Sequence, residues 1–305
     1  MTVVAPDAAE PPALSGMTMA MRQFVGNRAA VSGIAVMLAM CAAAAFAPWL
    51  APYDPTVIDL PAKLSPPSLA YPLGTDHFGR DVLSRLIWGA RVSLMVGLIV
   101  VVFALAFGVP IGLAAGYLAG RVDNLLMRLM DAFLTFPPLL LGVAIVGLLG
   151  PDIHNVVIAL GIAQVPVLGR IVRGSTMAVT NETYILATRA LGAGSTRIVT
   201  RHVLRNILSP IVVQLTIVFS AAVIAEASLS FLGLGTQPPQ PSWGRDLSEA
   251  RRYMAEAPWL FLAPTFAIML CVMSINFVGD GLRDALDPRS WRGQPVADPA
   301  RGQGA

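Results

Sequence analysis

Lysine is almost absent from this chain: of its 21 basic side chains only Lys63 is a lysine, and the others are arginines. A Walker-type ATP site needs G-x-x-x-x-G-K followed by Ser or Thr, because that lysine reaches the terminal phosphates. Lys63 stands between Pro61-Ala62 and Leu64, so no such site forms around it, and ATP-driven work would need a separate ATPase chain. Histidine and cysteine are also scarce. His77, His154 and His202 lie far apart, and Cys41 and Cys271 each sit alone in an apolar run. Without Cys or His neighbours at metal-ligand spacing, no metal or haem is expected in this chain, and the cysteines read as small core hydrophobes. No serine, histidine and acid combine into a visible triad and no H-E-x-x-H occurs, so the chain reads as non-catalytic. Charge of either sign is thin, at 13% of 305 residues, where soluble domains carry about a quarter.

What is abundant is apolar length, 55% of the residues being hydrophobic. A helix crosses the hydrocarbon core with about 20 apolar residues, and six stretches qualify: 29–50, 92–119, 124–149, 156–172, 207–232 and 258–278. Pro110, Gly112, Pro137, Pro138 and Pro166 inside them are tolerable, because neighbouring helices and waters can satisfy freed backbone groups. The first stretch follows Arg22 and Arg28 and ends in Ala45-Phe46-Ala47, as a secretory signal would. It is long for that role, whose apolar core spans about 7–15 residues, and it reads as an uncleaved first transmembrane helix. The expected fold is an all-α integral membrane protein with six transmembrane helices.

Arginine placement orients it. With the N-terminus inside, 14 of the 21 basic residues fall on the cytoplasmic side, so both termini are expected there. The Pro/Ala-rich first dozen residues and the tail beyond Trp291 read as disordered. Between the fourth and fifth apolar stretches lies a cytoplasmic island, YILATRALGAGSTRIVTRHVLRN, residues 184–206, with Arg189, Arg197, Arg201, His202 and Arg205. It reads as two short helices. Thr180 or Asn181 caps the first, with Glu182 in its first turn. Gly192-Ala193-Gly194 ends it, glycine being suited to a left-handed terminus. Ser195 or Thr196 caps the second. Either its arginines touch lipid headgroups, or the island, tethered to two membrane helices, passes any push on to both.

Further residues have two readings each. Glu226 in the fifth stretch would cost about 2.5–3.5 kcal/mol against lipid, so it is a pathway or gate residue or makes an interhelical hydrogen bond at an interface between subunits. Asp131 pairs locally with Arg128, which also reaches Asn124, or touches solute. The external segments share a tripeptide, Gly79-Arg80-Asp81 and Gly244-Arg245-Asp246, each before a short helical run, 82–88 and 247–254. Asp81 and Arg85 stand at i,i+4, a supporting pair. Asp76, Arg80, Asp81, Trp243, Arg245 and Asp246 are candidates for docking an external partner; Trp88, Trp243 and Trp259 also suit headgroup-level anchors. The proline-broken stretch 51–72 reads as an ordered external loop.

Five blocks carry a resemblance: YPLGTDHFGRDVLSRLIWGARVSL from Tyr71, AGYLAGRVDNLLMRLMDAFLTFPPLLL from Ala115, the island from Tyr184, AEASLSFLGLGTQPPQPSWG from Ala225, and GDGLRDALDPR from Gly279. In this order, across residues 22–290, they resemble the second permease subunit of dipeptide/oligopeptide (and nickel) ABC importers. The island is similar to that family's EAA loop, the seat of the ATPase. Aligned on Gly192, the Glu-Ala-Ala triplet falls on Leu186, Ala187 and Thr188, and the downstream proline on Arg205. The resemblance implies a type I importer core over 91–280, with a coupling loop at 173–206 and an external segment at 233–257. Residues 1–28 and 281–305 would be cytoplasmic, 29–50 the first helix and 51–90 an external loop. It implies ATPase coupling through Asn181, Glu182, Tyr184, Ala187, Arg189, Ala190, Leu191, Gly192 and Ala193. The implied partners are a homologous permease, two ATPase subunits or one fused ATPase, an external solute-binding protein and the bilayer of a bacterial plasma membrane. ATP and Mg would be bound by the ATPases, and no nucleic acid is expected. Peptides are the implied solute; nickel, glutathione or another small solute is the alternative, as is a stand-alone secondary carrier or a membrane scaffold.

Overall fold

The computed structural model describes residues 16–286, so the two expected disordered ends, with Arg289, Arg292 and Arg301, lie outside the described residues. Among the described residues there is no strand, only one isolated bridge between Thr75 and Asp81. The helices are α1 (Gly16–Gly26), α2 (Arg28–Ala45), α3 (Ala47–Leu50), α4 (Val82–Leu118), α5 (Gly120–Leu134), α6 (Pro138–Leu149), α7 (Ile153–Thr180), α8 (Thr183–Ala190), α9 (Ser195–Arg197), α10 (Leu204–Asn206), α11 (Leu208–Phe231), α12 (Trp243–Ala250) and α13 (Trp259–Leu286). Five of them, α2, α4, α7, α11 and α13, are long and apolar enough to cross a membrane; α5 and α6 make a sixth span only if counted as one bent pair. The all-α, six-span expectation stands, with one span broken.

Two boundaries differ from the sequence reading. The short external helix expected at 82–88 and the span expected from 92 are one helix, α4, of 37 residues. Arg85 and Arg91 do not interrupt it, because arginine is a good helix former. The Asp81 carboxylate starts the helix by accepting from the Ser84 N–H at 2.8 Å and its hydroxyl at 2.6 Å. The stretch expected as a single span at 124–149 instead bends by 83° between α5 and α6. Pro137 drives Phe136 out of the helical region, and Pro138 restarts the chain as the first residue of α6.

Glycines set how the helices pack. On α4, Gly108, Gly112 and Gly116 recur every fourth residue and face α7. A Cβ on Gly112 would lie 2.5 Å from the Gly169 carbonyl oxygen, and one on Gly116 2.7 Å from that of Arg173. Backbones therefore touch, as small-residue stripes allow in lipid, where no hydrophobic force pulls helices together. Gly33 brings α2 equally close to α13, at Ser274. The central core joins Val96, Val100 and Ala104 of α4, Val146 of α6, Leu160, Leu168 and Val172 of α7 and Val218, Ala222 and Leu229 of α11. Cys271 is buried in a second cluster between α2, α4, α11 and α13, as a small core residue should be, whereas Cys41 of α2 is exposed. The loop at 51–72 is ordered by backbone bonds, including Leu64 N–H to Asp76 O and Thr75 N–H to Ser65 O, both at 3.0 Å.

Candidate functional site

The island continues the core. Ile185 of α8, Ile198, Val203 and Ile207 are all buried and join the same apolar cluster as α4, α7 and α11. Neither expected cap forms as read from the sequence. Asn181 closes α7 instead, Glu182 precedes α8 without a side-chain bond, and Thr180 Oγ1 donates back to Thr176 O at 2.7 Å. Gly194, not Ser195 or Thr196, precedes the second segment, which continues as a wide π-helical turn, Ile198–Val203, before α10. Such single wide turns recur at functional positions.

The end of α8 is as the glycines suggested. Gly192 has φ +83°; its N–H reaches Arg189 O at 3.0 Å, and that of Ala193 reaches Thr188 O at 3.3 Å. These two bonds make a Schellman closure, and Ala193 packs down on the core. A second clip closes the island: Asn206 Nδ2 donates to the Tyr184 hydroxyl at 2.9 Å and to His202 O at 2.8 Å. Arg189 lies on the Tyr117 ring at the inner end of α4, 5.6 Å from its centroid. What remains outside is an apolar knob, Leu186 at 51% and Leu191 at 89% exposure. Asn181, Glu182, Tyr184, Ala187, Arg189, Ala190 and Gly192 are exposed beside it, as are Arg197, Arg201 and Arg205, while Ala193 is half-buried.

At the other end of α4 the external candidates meet each other rather than solvent. Arg80 Nε bonds Asp76 at 2.5 Å, and its other arm bonds Glu249 at 2.7 Å. Arg85 pairs with Asp246 of α12, and Arg245 with Glu249 at 2.9 Å. The expected Asp81–Arg85 pair is thus replaced, Asp81 being used as the cap of α4. Asp76, Arg80, Asp81, Arg85 and Trp243 are all buried. Trp243 is no headgroup anchor; its indole N–H donates to Leu86 O at 3.0 Å. Trp259 donates to Thr75 O at 3.3 Å. These side chains hold the external segments to α4 and are corrected from docking candidates to internal struts; only Arg245 and Asp246 keep some exposure. Burial pushes the Asp246 carboxyl above its ordinary range, opposed by Arg85. Burial acts upward on Glu249 too, but Arg85, Arg80 and Arg245 outweigh it and hold that carboxyl below the usual value.

The family described as the binding-protein-dependent transport system inner membrane component matches residues 108–292, and the N-terminal TM domain of oligopeptide transport permease C matches 15–67. The chain belongs to the first of these families. Among curated relatives of this permease, the di/tripeptide transport system permease protein DppC of Pseudomonas aeruginosa is 47% identical over 88% of this chain and 90% of that one. The dipeptide transport system permease protein DppC of Escherichia coli K12 is 45% identical over 87% and 91%. One structural neighbour, an inward-facing form of the MetNI methionine ABC transporter, shares the fold with a TM-score of 0.56 at 19% identity, covering 67% of this chain and 98% of that one.

In this permease Glu226 lies five residues from the outer end of α11 and is wholly buried. Ser93 of α4 donates to one of its oxygens at 3.1 Å and Ser230 to the other at 2.8 Å. The interhelical hydrogen bond is therefore present but within one chain, and the side chain lines no open path. Asp131 does not pair with Arg128; its partner is Arg170 of α7, 39 residues away. Asp123 likewise meets Arg173, at 2.5 and 2.6 Å. Sequence reasoning missed Glu249 as the centre of the external cluster, although Arg245 at i−4 was a visible signal.

Proposed function

We propose that this permease is the non-catalytic half of the translocation pathway of an ATP-driven bacterial inner-membrane importer for di- and oligopeptides. An external solute-binding protein would deliver the solute, a homologous permease would complete the pathway, and partner ATPases, as two chains or one fused chain, would bind ATP and Mg. The ATPase would contact Asn181, Glu182, Tyr184, Ala187, Arg189, Ala190, Leu191, Gly192 and Ala193. The observation that carries this reading is α8: a short helix, clipped shut, rooted in the membrane core, with leucines 186 and 191 turned outward. An apolar knob ringed by charge fits a protein pocket better than a headgroup layer. The peptide solute is supported by the names of relatives at 45% identity and above.

A push on α8 would reach α7 through two residues, Asn181 and Glu182. Because α7 touches α4 backbone to backbone, α4 would follow. That differs from a motion of the fourth and fifth spans alone, which is what chain order suggested. The test is reconstitution of the purified complex in proteoliposomes, with ATP on the ATPase side and a labelled dipeptide with the binding protein on the other. ATP-dependent accumulation is expected. Accumulation by this chain alone under an ion gradient would overturn the proposal.

A further inference from the structure

We infer that Asp131 and Arg170 form a solute contact within the translocation pathway, taking the oppositely charged ends of a short zwitterionic peptide; this rests on the peptide-importer reading. The six apolar stretches contain four charged residues, Arg128, Asp131, Arg170 and Glu226. Glu226 is sealed inside the chain. Asp131 and Arg170 pair with each other, yet their side chains stay 55% and 51% exposed. Arg170 sits four residues inward of the middle of the 28-residue α7, which is about 6 Å at 1.5 Å per residue. That depth belongs to the hydrocarbon if the helix is centred, and a charge facing lipid there costs about 2.5–3.5 kcal/mol. The pair must face water or protein.

The break between α5 and α6 is under the same constraint. Thr135, Phe136, Pro137 and Pro138 are all exposed, one turn beyond Asp131. Irregular backbone at membrane depth persists only where it is buried in protein or lines a water-filled cavity. An exposed carboxylate beside an exposed guanidinium, next to such a break, offers a peptide ammonium and a peptide carboxylate one partner each. A passing peptide would exchange the internal pair for two external ones, so little net charge is stranded at any point.

The experiment uses the full complex in proteoliposomes, with trialanine as the probe, and reads trialanine taken up per ATP hydrolysed. Asp131→Asn and Arg170→Gln should each lower that ratio at least threefold while assembly and the ATPase rate hold. The exchange variant Asp131→Arg/Arg170→Asp restores a structural pair and should not restore the ratio. An unchanged ratio in the single variants, or full recovery in the exchange variant, would overturn the contact. Loss of the permease pair on gel filtration in the single variants would do so too, assigning the face to the partner permease. If the wild-type complex takes up neither trialanine nor the labelled dipeptide, the peptide reading itself fails and this contact with it; if it takes up the dipeptide alone, the same ratios are read with that probe.

Discussion

Gly192 offers a test in which backbone and volume can be separated. Its φ of +83° lies in the left-handed region, and a Cβ added there would meet nothing within 4 Å. Any effect of substitution must then come from the backbone and not from crowding. An L-residue in this region costs roughly 1–2 kcal/mol, with asparagine among the tolerated exceptions. Gly192→Asn and Gly192→Val add side chains of similar size, but only the β-branched valine resists positive φ. The expected order of loss is Asn, then Ala, then Val, with about 2 kcal/mol for Val. Such a shift changes the ratio of closed to frayed α8 by a factor of about 30. The assay is peptide uptake per ATP hydrolysed by the reconstituted complex, with assembly checked by gel filtration. Uptake should fall with the ratio for Val and little for Asn. Equal losses for Asn and Val, or none for Val, would refute the idea that the Schellman closure transmits force.

Other predictions concern the frame. Arg85→Met strips the half-buried Asp246 of its ion-pair partner, while Glu249 keeps Arg80 and Arg245, and should cost up to about 3–5 kcal/mol, read as a lower midpoint of thermal unfolding in detergent; adding Asp246→Leu should recover part of it. Glu249 titrates below its usual 4.5, so the unfolded chain binds more protons in that window; its stabilisation is present above pH 4.5 and lost as pH falls through the lowered value. Glu249→Gln should flatten that acid limb, as unfolding midpoints across the window will show. Glu226→Gln should leave uptake per ATP unchanged, since the amide oxygen still accepts from one serine and the amide N–H can donate to the turned hydroxyl of the other; a large loss would return this residue to the pathway. Gly112→Val should destabilise by about 1–3 kcal/mol through overpacking, whereas Gly174→Val, with open space around it, should be near neutral in the same unfolding assay.

The spans were legible because lipid demands long apolar runs and little else does. The positive-φ turn at Gly192 was legible for a similar reason: glycine is nearly the only residue that takes that conformation freely. The pairs were not. Local spacing assigned Asp131 to Arg128 and Asp81 to Arg85, but the real partners of Asp131 and Arg85 lie 39 and 161 residues away. Helical neighbours at i+3 or i+4 are only one choice once another helix packs within reach. The tripeptide shared by 79–81 and 244–246 hid a spatial fact: both copies feed one ion cluster around Glu249, with unlike roles. Burial of Trp243 was equally hidden, because an indole suits a core pocket and a headgroup layer alike.

The length of α4 has a geometric consequence. Its 37 residues measure about 55 Å at 1.5 Å per residue, well beyond the ~30 Å hydrocarbon core. It runs unbroken through Pro110, with the seat beside its inner end, at Tyr117, and the Arg80–Arg85 struts at its outer end. A helix of about 55 Å that tilts as one body by about 5° about its inner end carries its outer end some ~5 Å sideways. The ion cluster tying that end to α12 would be carried the same distance, so a small rotation inside the cell becomes a displacement outside it as large as a side chain.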